Sequence, residues 1–451
     1  MTVAGRWGNM STVYALWLDS GGPIPFESVK YTSHLIFRKL PHLRLCIGKH
    51  KNDRWWREMD SDRLDVEEIR SNEDIVTIFE SLLQRRYNCE EGPLWFVRFV
   101  TSANGNGLVR DKNFNWKHKY VCIFGFHHNF SDGTTNMNFC NMFISLLNSV
   151  LTNEKVDFSE VGRFAYPIHD DIARATISYS FLLQLFGIRI YKGLVAYCEY
   201  VRNFIRHYPM PCDTDGCTLV LQNELDEVTT ERLLKRCKME GVTLNTVFTA
   251  AANIGMLRMI LQRDGSVTDT RFDSQQAVNM RRYWPKDQQK NSYGCHISMV
   301  DIQIPTTKDD ITNFWEYARK VHKIISNELH VERRTLKMQP LSEKLWLAIF
   351  VNSWMSKLRL PTANDGHYCI TNMGDVSSTF NGHGPVVSCS KILRSVSCHF
   401  MQTLCQHTLQ TFKGKFYYSL DYYPQKMSVG TARAYASSLM DTLRTVIHMP
   451  N

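Results

Sequence analysis

The stretch His127-His128-Asn129-Phe130-Ser131-Asp132-Gly133 decides how this chain is to be read. Before it lies Tyr120 to Phe126, an apolar run of strand length. After it, Thr134 to Leu151 places Met137, Cys140, Met142, Phe143, Leu146 and Leu147 at helical spacing. The seven residues therefore fall in a strand-to-helix turn, where rigid elements on both sides hold side chains still. The chemistry available there is proton transfer. Neutral histidine titrates near neutrality and can take a proton from a hydroxyl or amine as it attacks a carbonyl. An aspartate four residues on can fix the loop by gripping a buried cation, and Gly133 permits the sharp exit into the helix.

Working outward, the elements alternate and predict a mixed α/β architecture. Phe26 to Leu40 reads as a helix that Pro41 ends. Short strands are expected at Leu43 to Ile47 and Leu94 to Val100. Ile168 to Tyr208 reads as mostly helical and stops at Pro209-Met210-Pro211. With Cys212 to Gly216 behind it, that Pro pair is the best linker, so lobes of 1–208 and 209–451 are expected. Beyond it a strand is expected at Thr218 to Leu221. Helices follow at Glu231 to Glu240, closed by Gly241, and at Thr246 to Leu261, capped by Thr243 or Asn245. Strands are expected at His296 to Ile304, Tyr368 to Thr371, Ser397 to Leu404 and Lys415 to Leu420, with a last helix from Val429 to Ile447 behind Ser428.

Length and composition agree. The chain has 451 residues, more than one ordinary core holds. Its net charge of +9 is spread without a long basic run, which suits a polyanionic small ligand better than a nucleic acid. Thirteen cysteines lack CxxC pairs, and Met1 to Trp7 has no apolar signal core, so a cytoplasmic protein with reduced thiols is expected. The most apolar stretch, Ile177 to Tyr197, is interrupted by Gln184, Arg189 and Lys192, and reads as an amphipathic helix in the core, or one lying against a membrane surface, rather than a membrane span. His367, His383, His399 and His407 are scattered without metal-ligand spacing, so no metal is expected.

His127-His128-x-x-x-Asp132-Gly133 resembles the signature of the acyltransferase superfamily of chloramphenicol acetyltransferase, condensation domains and alcohol acyltransferases. Five further elements are similar in order and spacing: Pro41-His42-Leu43-Arg44, Gly92-Pro93-Leu94-Trp95, Gly241 to Asn245, Val278 to Tyr283 followed by Gly294, and Ile370-Thr371-Asn372-Met373-Gly374. The Asp-Phe-Gly-Trp-Gly element of the plant members is not found, which points to the condensation-like or alcohol O-acetyltransferase side.

The resemblance implies two chloramphenicol-acetyltransferase-like lobes with a tunnel between them. It implies His128 as general base, with no covalent acyl-enzyme and no metal. It makes Asp132 a motif residue that turns from the tunnel to pair with an arginine, Arg44 first and Arg38 second. His127 and Gly133 support the loop. Asn372 is either a tunnel and oxyanion candidate or a strand-end hydrogen-bonding residue. Arg281 and Arg282 either meet a cofactor's phosphates or sit in a solvated segment. The function implied is transfer of an acyl group, acetyl first, from acyl-CoA to a hydroxyl of a small lipophilic alcohol, with terpenoids among the acceptors considered. The enzyme is expected to be freestanding and monomeric. The alternatives are a condensation-like enzyme fed by an acyl carrier protein, and a non-catalytic relative that keeps the tunnel for a ligand.

Overall fold

The computed structural model describes residues 10–50, 53–103, 118–164, 201–211, 216–284, 286, 292–334, 367–397 and 403–449. The apolar stretch Ile177 to Tyr197, most of the helix expected before Tyr208, linker residues 212–215 and His399 lie outside them.

Two sheets of mixed strand direction organise the chain. The first has five strands in the order Val387–Val396, Ser11–Ser20, His118–His127, Trp95–Thr101 and Val66–Arg70. Its first four strands run antiparallel to their neighbours, and the last joins in parallel. The second has six strands in the order Ile297–Thr307, Asp269–Asn279, Tyr368–Asp375, Cys405–Phe412, Lys415–Tyr422 and Leu219–Leu225. Tyr368–Asp375 runs parallel to both its neighbours. Each sheet has its own core, one built around Trp95, Phe96, Phe124 and Phe143, the other around Phe248, Phe272, Tyr368 and Leu439.

Helices cover these sheets where periodicity demands it. Phe26–Lys39 buries Val29, Leu35, Ile36 and Phe37 against Gly133–Leu151. Leu244–Arg263 is buried nearly all round, as a central core helix must be. Among the described residues it alone has the length and composition to cross a membrane, yet 78% of its apolar window is buried inside the protein. Thr243 caps it, its hydroxyl accepting from the Thr246 N–H at 3.2 Å, and Ser428 caps Val429–Val446 in the same way at 3.1 Å.

The expected boundary at 208/209 divides the sequence but not the sheets. Val387–Val396, from the second half, pairs with Ser11–Ser20 from Thr12↔Val396 to Ser20↔Val387 and completes the first sheet. Val387, Cys389, Ile392 and Leu393 sit in the first core. Sequence periodicity reports that a strand is buried, not on which sheet it lands. The expected strand at Leu43 is a short 3-10 turn, Pro41–Arg44, because the proline restarts a tight helical turn before Leu45–His50 extends. Most of the strand expected at Ser397 to Leu404 lies outside the described residues, and a strand follows at Cys405–Phe412.

Candidate active site

The two motif histidines leave the end of strand His118–His127 in opposite roles. The His127 N–H donates to the Leu94 carbonyl at 2.8 Å, and the His128 N–H to the Met10 carbonyl at 2.9 Å. Neighbouring strands thus hold the backbone at both residues. The His127 side chain faces inward: its Nδ1 accepts from the Asn129 N–H at 3.0 Å, its ring lies edge-on to Tyr87, and it is fully buried. Burial pushes its pKa down to about 3, so it is neutral and structural.

His128 is oriented by a carbonyl. Its Nδ1 lies 2.9 Å from the Ser131 carbonyl oxygen. A carbonyl only accepts, so Nδ1 carries the hydrogen and the lone pair is left on Nε2. Burial lowers the His128 pKa below the ordinary histidine value, although Asp132 and the Ser131 carbonyl pull the other way. The imidazole is therefore a neutral base with a fixed tautomer at neutral pH.

Asp132 does not touch the reacting face. Its Oδ1 accepts from the Thr135 N–H at 3.0 Å and caps the helix Gly133–Leu151. Its Oδ2 accepts from Arg281 Nη1 at 2.6 Å and from the His296 N–H at 2.8 Å. Burial alone would raise this carboxyl, but the Arg281 charge and the three hydrogen bonds outweigh it and hold the pKa down at about 2.

Arg281 corrects two expectations. The cation gripped by Asp132 is neither Arg44 nor Arg38. Arg44 pairs with Glu58 and Glu160 on the surface, and its Nη1 donates to the Arg38 carbonyl. Nor is Arg281 free to meet cofactor phosphates. It is 5% exposed, and its remaining donors reach the Ser292 carbonyl, Thr135 Oγ1 and the Gly294 carbonyl. The neighbouring Arg282 is exposed in the turn Met280–Tyr283.

The second half of the chain thus closes over the motif loop. Asn279 donates to Thr134 Oγ1 at 3.1 Å, and Thr135 Oγ1 bridges the Gly294 carbonyl and N–H. A Cβ at Gly133 would come within 2.9 Å of Met373 Sδ, so the motif glycine allows the strand Tyr368–Asp375 to approach. Asn372, beside Met373, is held at the end of that strand. Its Oδ1 accepts from the Gly374 N–H at 2.8 Å, and its amide donates to Asn245 at 3.3 Å. The strand-end role is the one observed.

Three neighbours escaped the sequence reading. His42 lies beneath the loop, stacked on Phe130. His296 lends its N–H to Asp132. Cys295 places Sγ 3.5 Å from His128 Nδ1. The last could suggest a cysteine–histidine nucleophile, but the geometry opposes it. The ring nitrogen facing the thiol is the one that carries a hydrogen, and burial pushes the thiol pKa far up. Only His42 had a sequence signal, as part of the Pro41–Arg44 element in which the arginine drew attention instead.

Comparison with known proteins gives the chain a family and a fold. The alcohol acetyltransferase family model matches residues 67–386. No curated protein matches the sequence. The fold is similar to that of the trichothecene 15-O-acetyltransferase TRI3 of Fusarium sporotrichioides, at 12% identity and a TM-score of 0.72, covering 98% of this chain and 93% of that one. It is also similar to the condensation domain of the monacolin K polyketide synthase MokA, at 12% identity, TM-score 0.63 and coverage of 100% and 97%. The first condensation domain of the CDA synthetase follows at 13% identity, TM-score 0.66 and coverage of 99% and 93%. With this family model spanning most of the chain, the protein belongs to the alcohol acetyltransferase family, and it shares its fold with condensation domains.

Proposed function

We propose that the protein transfers an acyl group, acetyl first, from acyl-CoA to the hydroxyl of a small lipophilic alcohol, with His128 Nε2 as general base. The observation that carries this reading is the hydrogen bond from His128 Nδ1 to the Ser131 carbonyl. It commits the lone pair to the other ring nitrogen, and burial keeps that nitrogen unprotonated.

In the reaction, His128 Nε2 takes the acceptor hydroxyl proton as the oxygen bonds to the thioester carbon. The carbonyl π pair moves onto oxygen. When that pair returns, the carbon–sulfur bond breaks and the thiolate takes the proton back from Nε2. No acyl-enzyme forms. The backbone N–H near Gly133, where helix Gly133–Leu151 begins, or a hydroxyl lining the tunnel is the first candidate donor to the oxyanion. Asn372, already engaged at its strand end, is the second candidate. General-base assistance is worth ~10²–10⁴ in rate, so a tunnel between the lobes that positions donor and acceptor carries much of the remainder. Arg282, exposed near the motif anchor, is the candidate left for a CoA phosphate. A cytoplasmic location is part of this proposal and rests on the scattered cysteines of the sequence, which lack CxxC pairs.

The test is turnover by wild type and His128→Ala, with acetyl-CoA, longer acyl-CoAs and an acyl-loaded carrier protein offered against an alcohol panel. Product from acetyl-CoA that disappears in a folded His128→Ala protein supports the reading. Turnover from the carrier alone would transfer the donor role to a carrier protein. Binding of alcohols without turnover from any thioester would favour a ligand-binding relative.

A further inference from the structure

We propose that His42 is a positioning residue for acyl transfer, holding the Phe130 carbonyl so that the adjacent Ser131 carbonyl keeps the His128 ring aimed. The inference rests on the reading of His128 as the base.

His42 belongs to the turn Pro41–Arg44, immediately after the helix Phe26–Lys39, and is buried. Its Nε2 meets the Phe130 carbonyl oxygen. A carbonyl cannot donate, so His42 does, from Nε2–H. Its ring also stacks on the Phe130 ring, with centroids 4.8 Å apart and planes inclined by 22°. Burial pushes its pKa down to about 4, so it is a neutral donor through the range in which the enzyme would work. The charged or titratable groups that it senses are Asp132 from the motif loop, and Arg281 and His296 from the second half of the chain.

The consequence lies in the order of the loop. Phe130 is tied to His42 from the first half of the chain. Asp132 is tied to Arg281 and to the His296 N–H from the second. Ser131 sits between these anchors, and its carbonyl fixes His128 Nδ1. The base is therefore aimed by a peptide group clamped on both sides. The Asp132 clamp is a strong buried ion pair, whereas the Phe130 carbonyl meets a neutral side chain, with the Phe130 N–H donating to the His127 carbonyl at 3.3 Å. A misplacement of ~1 Å in such a constellation can cost on the order of 10² in rate.

Two substitutions separate the parts of this contact. His42→Phe retains an aromatic ring for stacking and removes the donor. His42→Gln retains a donor of similar reach and removes the ring. The expected result is a kcat ~10–100-fold lower for His42→Phe with KM unchanged, and a return to within a few-fold of wild type for His42→Gln. The Ser131 hydrogen bond raises the His128 pKa. Its loosening in His42→Phe should therefore move the acid limb of kcat/KM to lower pH, which a purely structural role would not do. Should His42→Phe fail to fold, His42→Met, close in shape to Gln but without a donor, replaces it. Wild-type kcat and an unmoved acid limb in a folded donor-free variant overturn the proposal. So does a loss that His42→Gln shares equally. His128→Ala, measured alongside, keeps the two ideas apart: if it turns over normally, the base assignment has failed, whatever His42 does.

Discussion

Asp132 and Arg281 are 149 positions apart in the chain and 2.6 Å apart in the fold. The pair joins the motif loop of the first sheet to the segment that leaves strand Asp269–Asn279 of the second. Both side chains are almost wholly shielded from solvent. Removing one partner strands a charge that burial punishes, and breaking such a pair typically costs ~3–5 kcal/mol. Arg281→Ala and Asp132→Ala are expected to lose stability on that scale in denaturant melts. Arg281→Lys should recover little of it, because an ammonium cannot fork to Asp132, Thr135 and Ser292 together. A loss below ~1 kcal/mol in Arg281→Ala would mean that the pair is not the clamp described.

The base has a direction of titration that activity can report. Burial lowers the His128 pKa below the ordinary histidine value of 6.5. The active, unprotonated form then persists on the acid side of that value. The acid limb of kcat/KM should have its midpoint below pH 6.5, with activity falling as pH falls through it. A midpoint clearly above 6.5, traced to His128 by its loss in His128→Gln, would contradict a base kept neutral by desolvation.

Acid stability follows from the other histidines. Burial holds His127 and His407 at about 3, and His42 and His367 at about 4. Above pH 6.5 both folded and unfolded chains leave them neutral, and they do not affect stability. As pH falls from 6.5 toward 4, the unfolded chain takes up protons that the folded chain refuses, so stability drops, by ~3 kcal/mol for a group shifted as His42 is. Asp421 and Asp273, raised by burial to about 7 and about 6, bind protons in the folded state and oppose this, but they are two against four. Asp132 adds a further loss lower down, between its unfolded value of 3.8 and about 2. Melting temperature should rise slightly from pH 8 to 7, as Asp421 takes up its proton, and fall steeply below 6. A melting temperature constant down to pH 4.5 would show that these histidines are not buried neutral.

Cys295 offers a direct check on the absence of a covalent intermediate. Its thiol lies beside His128 yet faces the protonated ring nitrogen, and burial raises its pKa. Cys295→Ser should turn over within a few-fold of wild type. Intact-protein mass spectrometry during turnover should show no acyl adduct. An acyl group found on Cys295 would replace the single-step mechanism with a two-step one.

Much of this was legible along the chain because it is local. The strand–turn–helix around His128 is fixed by short-range patterning, and the structure shows strand His118–His127 and helix Gly133–Leu151 flanking the motif. The cap positions Thr243 and Ser428 were likewise readable, since an N-cap needs only its own next turn. Other segments were hidden for a physical reason. Ser11–Ser20 lies in the middle of the first sheet with nearly every residue buried, so it shows no alternation of polar and apolar faces.

What the residues settled by themselves, then, is a mixed α/β chain with a histidine at the mouth of a strand-to-helix turn, because periodicity and capping act over a few neighbouring positions; acyl transfer entered through the resemblance of its motifs. Which arginine Asp132 grips, that Val387–Val396 crosses to the first sheet, and that His42 lies beneath the loop were decided only by tertiary structure. Those partners are 149, some 380 and 88 positions away. A one-dimensional pattern records that a residue needs a partner; packing in three dimensions chooses which distant group arrives to satisfy it.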